Sequence, residues 1–375
     1  MKIGFISKDY PTDNVITGIG NMVKNVSERL APNNNITVFT ASEVDGNKMG
    51  INFINFPRAF YNFSPLYALN SSMHLSRLMK NNDFDIVECE SWKSEGFGLA
   101  GNNDRKFKYV HRQHTPIDKI IVQDSVKDKI DAHVFRKMEE ESIKKSDGVI
   151  FVSEAVKNYV TNKFPQTIDK CFVVYNGIDL RKFSPKDKYE SRKKLKLPSN
   201  KFVLLFVGHL GRRKGFDIFL DLIKNLDEKK FHFLIVGRKS LYDNDITSFF
   251  EKLLKFHSNI THYNCASENL LMDIYSSADV VIVPSRYESF SLVCLEAEAM
   301  GRCVVASNVG GIPEVCNKKS SILCSPDYSS FLKNIFYLFE NGSVAKKIGN
   351  KGRKTAKKFS WNKTAKETLK IYKNL

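Results

Sequence analysis

Residues 280–300 read VVIVPSRYESFSLVCLEAEAM, and the pattern of this stretch changes twice. Its first four residues are apolar and mostly β-branched, which is typical of a strand buried on both faces. A polar loop follows Pro284, and a helix is expected to begin near Ser291. The free N–H groups and the dipole at that helix start form a site suited to an anion. Strand, loop and helix in this order indicate a parallel α/β sheet.

The same unit recurs along the chain, because short apolar runs alternate with segments of helical spacing. Such alternation predicts an α/β fold with parallel sheets covered by helices on both faces. The predicted strands are Lys2–Ser7, Ile36–Ala41, Asp85–Cys89, Lys108–Arg112, Gly148–Ser153, Cys171–Asn176, Phe202–Gly208, Phe231–Gly237, Ile260–Cys265, Val280–Ser285, Cys303–Ser307 and Ser321–Ser325.

Two domains are expected, since 375 residues exceed one ordinary core and the alternation restarts after a charged, proline-containing segment. We predict an N-terminal Rossmann-like domain over residues 1–180 and a linker over 181–200, followed by a C-terminal Rossmann-like domain over 201–358. Two such domains would suit a group transfer in which the first domain binds the acceptor and the second binds the donor. The amphipathic residues 359–375 would form a helix that packs back on the first domain. Parallel sheets bind ligands beyond their carboxyl ends, so two facing domains predict a cleft.

Composition narrows the class of protein. Hydrophobic residues make up 42% of the chain, as in folded globular proteins. No apolar run is long enough to span a bilayer, and the first residues alternate like a strand, not like a signal peptide. The seven cysteines include no C-x-x-C pair, which indicates a reducing compartment and no structural metal. The expected location is therefore the cytoplasm.

The net charge of +17 requires an explanation. An anionic substrate, an anionic membrane or nucleic acid would each account for it, and so would a solvated basic surface. The sequence contains no motif that reads nucleic acid, so a nucleic-acid partner is not expected. A peripheral contact with the inner face of a membrane stays open.

Two glutamates and a basic loop are the main candidates for chemistry. Glu288 lies in the loop after Pro284, and Glu296 lies about 9 Å along the helix from Phe290. One carboxylate could reach a sugar while the other binds a ribose. Alternatively, both glutamates could be ordinary surface residues that flank a buried helix. Arg213 and Lys214 directly precede another helix, where they could neutralise a diphosphate leaving group.

Weaker signals lie in the first half of the chain. Gly18 and Gly20 open the first helix, where glycine would let a ligand approach the helix N-terminus. His114 falls beyond a strand end and could bond a sugar hydroxyl, whereas His111 lies within the strand. The acidic pairs at 83–85 and 243–245 are better explained by the ends of neighbouring elements than by a metal site. Asp85 precedes a buried strand, and Asp245 is expected to be a helix N-cap.

These motifs together resemble glycosyltransferase family 4, whose members are retaining enzymes of the GT-B fold. Two glutamates separated by seven residues match the family pattern, and further motifs match across most of the chain. The matching residues are Val152–Val156, Tyr175–Asp179, Arg213–Gly215, Pro284–Ser285, Glu288, Phe290, Glu296 and Val305–Val315.

The resemblance implies a role for each matched residue. Arg213 and Lys214 would bind the donor diphosphate, and Glu296 would hold the ribose. His114 and Glu288 would lie beside the donor sugar as the catalytic residues, neither acting as a covalent nucleophile. The remaining donor-binding positions are Gly18 and Gly20, together with the backbone of Phe290, Ser291 and Leu292. The chain departs from the family at His209, where many members carry arginine.

The expected activity is therefore retaining transfer of a sugar from a UDP-, GDP- or ADP-sugar to a glycan or lipid-linked glycan. No cofactor and no bound metal are expected, and polysaccharide biosynthesis is the expected context. The aromatic stretch 60–67 is a candidate for the acceptor surface. Two alternatives stay open: a non-catalytic nucleotide-sugar-binding partner subunit, and a GT-B epimerase that releases a free sugar.

Overall fold

The computed structural model describes residues 1–11, 17–56, 65–80, 82–91, 96–120, 126–240 and 242–375. Most of the aromatic stretch 60–67 lies outside them. The chain divides into two compact units, one of Met1–Gly177 with Trp361–Leu375 and one of Ile178–Ser360. Residues 181–200, expected as a linker, belong to the second unit, where they include a helix.

The first unit is built on an eight-stranded sheet in the order β3-β4-β2-β1-β5-β6-β7-β8. All neighbours pair in parallel except β3 and β4. The strands are β1 Lys2–Ile6, β2 Asn35–Thr40, β3 Gly46–Lys48, β4 Ile51–Asn55, β5 Ile86–Glu90, β6 Lys108–Gln113, β7 Gly148–Phe151 and β8 Cys171–Val173. The helices are α1 Gly18–Leu30, α2 Pro65–Lys80, α3 Phe97–Ala100, α4 Val126–Lys145, α5 Glu154–Lys163 and, from the other end of the chain, α14 Trp361–Asn374.

Helix α14 is held to the first unit by apolar packing and by a buried ionic network. Trp361 and Tyr372 are 3% and 2% exposed and belong to the same core cluster as the first two strands. Arg112 pairs with Glu88 at 2.8 Å, with both side chains fully buried. The Tyr372 hydroxyl donates to Glu88 at 2.7 Å, and Arg112 donates to Thr368 at 3.0 Å. A buried pair needs such added partners to offset its desolvation.

The second unit is built on a six-stranded parallel sheet in the order β11-β10-β9-β12-β13-β14. The two parallel sheets with covering helices confirm the predicted α/β fold. The strands are β9 Phe202–Val207, β10 Phe231–Val236, β11 Ile260–Tyr263, β12 Val280–Val283, β13 Cys303–Ser307 and β14 Ile322–Cys324. The helices are α6 Lys188–Lys194, α7 Phe216–Asn225, α8 Asn244–Phe256, α9 Glu268–Ser277, α10 Leu292–Ala299, α11 Ile312–Val315, α12 Tyr328–Glu340 and α13 Gly342–Ala356.

An aromatic cluster fixes the start of α7. The ring of Phe216, the first residue of the helix, lies 5.0 Å from Phe206 on β9 and 5.0 Å from Phe250 on α8. Phe219, one turn later, packs 5.8 Å from Phe233 on β10. Removing a ring from such a core typically costs about 3–5 kcal/mol. The basic loop before Phe216 is therefore anchored to a rigid part of the unit.

Candidate functional site

Two glycines bring the loops at the carboxyl edge of the second sheet into backbone contact. At Gly237, with φ of +159°, a Cβ atom would lie 1.7 Å from the carbonyl oxygen of Gly208. At Gly215, with φ of +69°, a Cβ atom would lie 1.9 Å from the carbonyl oxygen of Pro284. Only glycine fits at these positions, so the β9–α7 loop lies directly against the end of β12.

Arg286 ties the basic loop to the β12–α10 loop. Its backbone N–H donates to the carbonyl of Arg213 at 2.9 Å. Its guanidinium donates to both carboxylate oxygens of Asp217 at 2.6 Å and to the carbonyl of Arg212 at 2.8 Å. A bidentate pair of this kind fixes orientation as well as charge. Sequence reasoning missed Arg286, because its partner Asp217 lies 69 residues away.

Lys214 and Glu288, 74 residues apart, meet in this region. The Lys214 ammonium lies 2.5 Å from Oε1 of Glu288, with side chains 20% and 9% exposed. The Ser285 hydroxyl donates to the same carboxylate oxygen at 3.2 Å. The structure thus brings together a predicted diphosphate-binding cation and a predicted sugar-side carboxylate.

A third loop, after β13, fixes the backbone around Glu288. The N–H of Gly311 donates to the carbonyl of Glu288 at 2.9 Å. A Cβ atom at Gly310 or Gly311 would lie 2.0 Å from the carbonyl oxygen of Glu288 or Ser289, respectively. These glycines belong to the matched motif Val305–Val315, and their function here is to permit close backbone packing.

Arg213 and His209 differ in the charge that they add to the basic loop. The Arg213 side chain is exposed and has no acidic partner among the residues that the structure describes. Desolvation, followed by the charge of Arg213, lowers the pKa of His209. The His209 ring is therefore neutral at pH 7, and the positive charge of this loop near Lys214 comes from arginine and lysine.

The start of α10 combines a strained cap with unpaired donors. Ser291 is the N-cap, with φ of +68°, and its hydroxyl oxygen accepts from the N–H of Cys294 at 3.4 Å. A left-handed backbone at a non-glycine residue costs about 1–3 kcal/mol. The N–H of Leu292, in the first turn, has no partner within the helix. The ring of Phe290 packs 5.9 Å from that of Phe359. The ring is therefore part of the core, and only the backbone of Phe290 could bind a ligand.

Glu296 lies one turn further along α10 and is half-buried. The fully buried Tyr275 on α9 donates its hydroxyl to Oε2 of Glu296 at 2.8 Å. Burial raises the pKa of Glu296 to about 7, and the charge of Glu268 adds to this. Sequence reasoning missed Tyr275, since helical spacing alone marks it only as a core residue.

His114 belongs to the first unit, where Glu90 holds its ring. Nε2 of His114 contacts Oε2 of Glu90, and the backbone N–H of His114 donates to Ser91 at 3.1 Å. Both side chains are nearly buried. Burial raises the pKa of Glu90, and among the residues that the structure describes its Oε1 has no hydrogen-bond partner. Because Nε2 is engaged, Nδ1 is the ring nitrogen left for a ligand.

Neighbouring residues fix the turn that carries His114. Glu139 on α4 accepts from Gln113 at 2.8 Å and from the N–H of Ile117 at 3.0 Å, on either side of the turn. His111, inside β6, bonds Gln113 at 2.7 Å, and burial lowers the pKa of His111 to about 4. His111 is therefore a neutral structural residue. A glutamate at the end of the buried strand β5 was the available signal for Glu90, whereas Glu139 lies in a charged part of α4 and carries no such signal.

The two glycines of α1 differ in their surroundings. Gly20 is buried, and a Cβ atom there would lie 2.8 Å from the carbonyl oxygen of Asp9. Its N–H donates to the Thr17 hydroxyl at 3.0 Å, which caps the helix. Gly18 is the exposed first residue of α1. Gly20 thus serves close packing, and Gly18 leaves the helix start open.

The acidic pairs form no metal cluster in the part of the chain that the structure describes. Asp243, not Asp245, is the N-cap residue of α8. Asp245 lies in the first turn of that helix and pairs with Arg212. Asp83 pairs with Lys2 at 2.9 Å. Among the same described residues, no helix combines the length and apolarity needed to cross a bilayer.

Two family models match the chain in succession. Residues 16–182 match the model described as Glycosyltransferase Family 4, and residues 187–355 match Glycosyl transferases group 1. Together the two models extend over nearly the whole chain, and each falls mainly within one of the two units.

Known proteins with similar sequences include glycosyltransferases from archaea and bacteria. An uncharacterized glycosyltransferase of Methanocaldococcus jannaschii is 27% identical over 100% of this chain and 98% of its own length. A D-inositol 3-phosphate glycosyltransferase of Segniliparus rotundus is 32% identical over 62% of this chain and 53% of its own length.

Several solved structures share the architecture of the whole chain. Sucrose-phosphate synthase of Thermosynechococcus elongatus matches with a TM-score of 0.82 and 21% identity, covering 100% of this chain and 98% of its own. Anabaena HepE in complex with UDP and glucose matches with a TM-score of 0.79 and 17% identity, covering 100% of each chain. At these identities the likeness shows the fold.

Proposed function

The chain belongs to the family 4 glycosyltransferases, and on this premise we propose that it transfers a sugar from a nucleotide-sugar donor to a glycan or lipid-linked glycan. The observation that carries the proposal is the contact between Lys214 and Glu288 beside the start of α10. A cation for the diphosphate and a carboxylate for the sugar are adjacent there, at the sheet edge where α/β folds bind ligands.

The leaving diphosphate gains negative charge as its bond to the sugar breaks. Lys214 and Arg213 would stabilise that charge, and the N–H groups of Ser291 and Leu292 would add hydrogen bonds. Because fixed cations oppose the developing charge, we propose that transfer needs no bound metal. Arg213 is the more important of the loop arginines, because Arg212 is paired with Asp245.

Glu296 would accept hydrogen bonds from the ribose hydroxyls of the donor. Tyr275 holds one carboxylate oxygen, which leaves Oε1 for the ligand. His114 would bond a sugar hydroxyl through Nδ1, with Glu90 setting the ring orientation. Each of these groups binds or orients, and none is positioned as a covalent nucleophile.

We propose that the configuration at the anomeric carbon is retained. The acceptor oxygen would attack from the face that the diphosphate leaves, within a short-lived ion pair. The new bond joins the acceptor oxygen to the anomeric carbon, and the acceptor proton passes to the departing phosphate oxygen. Glu288 would stabilise the positive charge that develops on the sugar ring.

Product analysis tests the proposal. The protein is incubated with UDP-, GDP- and ADP-sugars and a panel of glycan acceptors, with a chelator present. We expect acceptor-dependent release of one nucleoside diphosphate and, by NMR, a product with the donor's anomeric configuration. Lys214→Ala should abolish release, whereas the exposed control Lys224→Ala should not. A free epimerised sugar without acceptor, or donor binding without release, would contradict the proposal.

A further inference from the structure

The positive charge of the chain is concentrated in one region. Residues 346–375 contain eleven lysines and arginines and one glutamate, which gives ten of the seventeen net positive charges. Helix α13 begins this region and belongs to the second unit. The donor site does not account for this charge, since none of its proposed residues lies in α13.

One face of α13 packs tightly against the second unit. A Cβ atom at Gly349 would lie 2.2 Å from the carbonyl oxygen of Gly301, and one at Gly352 would lie 3.1 Å from Glu298. Ala345 and Ala356 are buried on the same face. Small residues thus fix the helix close to the body of the unit, and its other face must point to solvent.

That solvent face carries only lysines and neutral polar residues. Its lysines are all exposed, and none takes part in an ion pair within the described parts of the chain. Lysines four residues apart repel one another along a helix, so this arrangement weakens α13 unless an external anion is bound. The members of this lysine face are Lys346, Lys347, Lys351 and Lys354 on α13, with Lys357 and Lys358 directly after the helix end.

The lysines of α6 and the segment before it provide a contrast within the same unit. Lys186 pairs with Asp273 at 2.7 Å, and Lys188 pairs with Asp279. Several cations near α6 are therefore paired inside the chain, whereas within the described residues the lysines of α13 have no such acidic partners. An open groove of about 370 Å³ runs along the lysine face, between Ser343 and Lys354.

The chemistry of the lysine face favours a lipid surface over nucleic acid. Arg353, the one arginine of α13, turns inward and donates to the carbonyls of Phe183 and Ala299. The groove contains no aromatic side chain for base stacking and no guanidinium for bidentate contacts to bases. Lysines are flexible point charges, which suit a diffuse layer of anionic headgroups.

We propose that the lysine face of α13 docks the protein on an anionic membrane surface. The proposal does not depend on the donor site and holds for any acceptor. The proposal follows from the charge and exposure of these lysines and from the absence of acidic partners among the described residues, and it accounts for six of the positive charges of the chain. Such binding is electrostatic, so added salt must weaken it.

Vesicle co-sedimentation tests the docking surface. Wild-type protein is mixed with neutral phosphatidylcholine vesicles or with vesicles that also contain phosphatidylglycerol, at low and high salt. The test variant replaces Lys346, Lys347, Lys351 and Lys354 by glutamine. The matched control replaces four exposed, unpaired lysines of the same unit by glutamine: Lys224, Lys229, Lys252 and Lys255.

We expect wild-type protein to bind only the anionic vesicles and to be released at high salt. The test variant should bind at least about tenfold more weakly, and the control within about twofold of wild type. Unchanged melting temperatures would show that both variants are folded. Equal losses in the two variants, no wild-type binding, or tighter binding to an oligonucleotide than to vesicles would overturn the proposal.

Discussion

At the residue scale, Glu288 lies 2.5 Å from the ammonium of Lys214, and we propose that it also contacts the donor sugar. Glu288→Gln removes one negative charge beside the diphosphate site, so we expect nucleoside diphosphate to bind at least as tightly as to wild type. Sugar transfer should fall by at least about 100-fold, because the developing positive charge loses its carboxylate. Calorimetry and turnover assays separate the two effects. Loss of diphosphate binding in this variant would contradict the assignment.

Donor affinity should depend on pH through Glu296. Burial raises the pKa of Glu296 to about 7, so the carboxyl is protonated below that pH and ionised above it. Ribose hydroxyls donate to the ionised form, and affinity should therefore fall as pH drops below 7, by up to about tenfold per unit. Donor dissociation constants measured from pH 5.5 to 8.5 check this. Glu296→Gln should flatten the profile; an equally steep profile in that variant would assign the dependence to another group.

Glu90 should control the tautomer of His114. The side chain of Glu90 contacts Nε2; an ionised Glu90 can only accept there, which favours the tautomer with the proton on Nε2 and with Nδ1 as an acceptor. In Glu90→Gln this preference should weaken, and kcat should fall more than donor affinity. Nitrogen NMR shifts of the His114 ring measure the tautomer directly. Identical shifts in Glu90→Gln and wild type would show that Glu90 does not set it.

At the element scale, the contact between α10 and the loop before β14 contains a buried carboxylate. Glu298 accepts from the Ser320 and Ser321 hydroxyls at 2.7 and 2.8 Å, and its Oε2 has no hydrogen-bond partner in the described parts of the chain. Burial raises the pKa of Glu298 to about 7. The folded state therefore holds a proton between about pH 4.5 and 7 that the unfolded state releases.

Stability should accordingly fall as pH rises through that window. The loss attributable to Glu298 is about 3 kcal/mol and is complete above pH 7. Glu298→Gln removes this titration, so its stability advantage over wild type should grow from pH 5 to pH 8. Chemical denaturation at a series of pH values measures the difference. A constant difference across the series would contradict the buried, protonated state.

The sequence predicted most strands of both sheets but missed the β3–β4 hairpin. Its turn places Met49 at φ of 55° and Gly50 at φ of 74°. Two left-handed residues suit a tight hairpin, yet Met-Gly lacks the Asn-Gly signal by which such turns are recognised. The cap of α8 was likewise misassigned, because Asp243 and Asp245 have equal propensity for that position.

The candidate site was predictable where a motif is continuous along the chain. Residues near one another in sequence, such as Ser291 and Glu296, follow from a strand, a loop and a helix. The contacts made by Arg286, Tyr275 and Glu90 span 69, 21 and 24 residues, respectively. These contacts depend on the order of strands in the sheets, which local pattern does not specify.

At the scale of the whole molecule, residues 181–200 differ from the solvated linker that their charged composition predicts. Arg192 in this segment is buried, because its guanidinium pairs with Asp279 at 2.6 Å and also donates to backbone carbonyls. A charged stretch normally indicates a solvated linker, but paired charges can be buried. The acidic partners lie about 80 to 90 residues further along the chain, beyond the reach of local reasoning.

The central claim, a donor site around Lys214, is tested most directly by thermal shift. Wild-type protein, Lys214→Ala and the control Lys224→Ala are heated with UDP-, GDP- and ADP-sugars in the presence of a chelator. A ligand that binds only the folded state raises the melting temperature. The account predicts stabilisation by one nucleotide series in wild type and Lys224→Ala, and none in Lys214→Ala. No stabilisation of wild type by any donor, or equal stabilisation of Lys214→Ala, would contradict it.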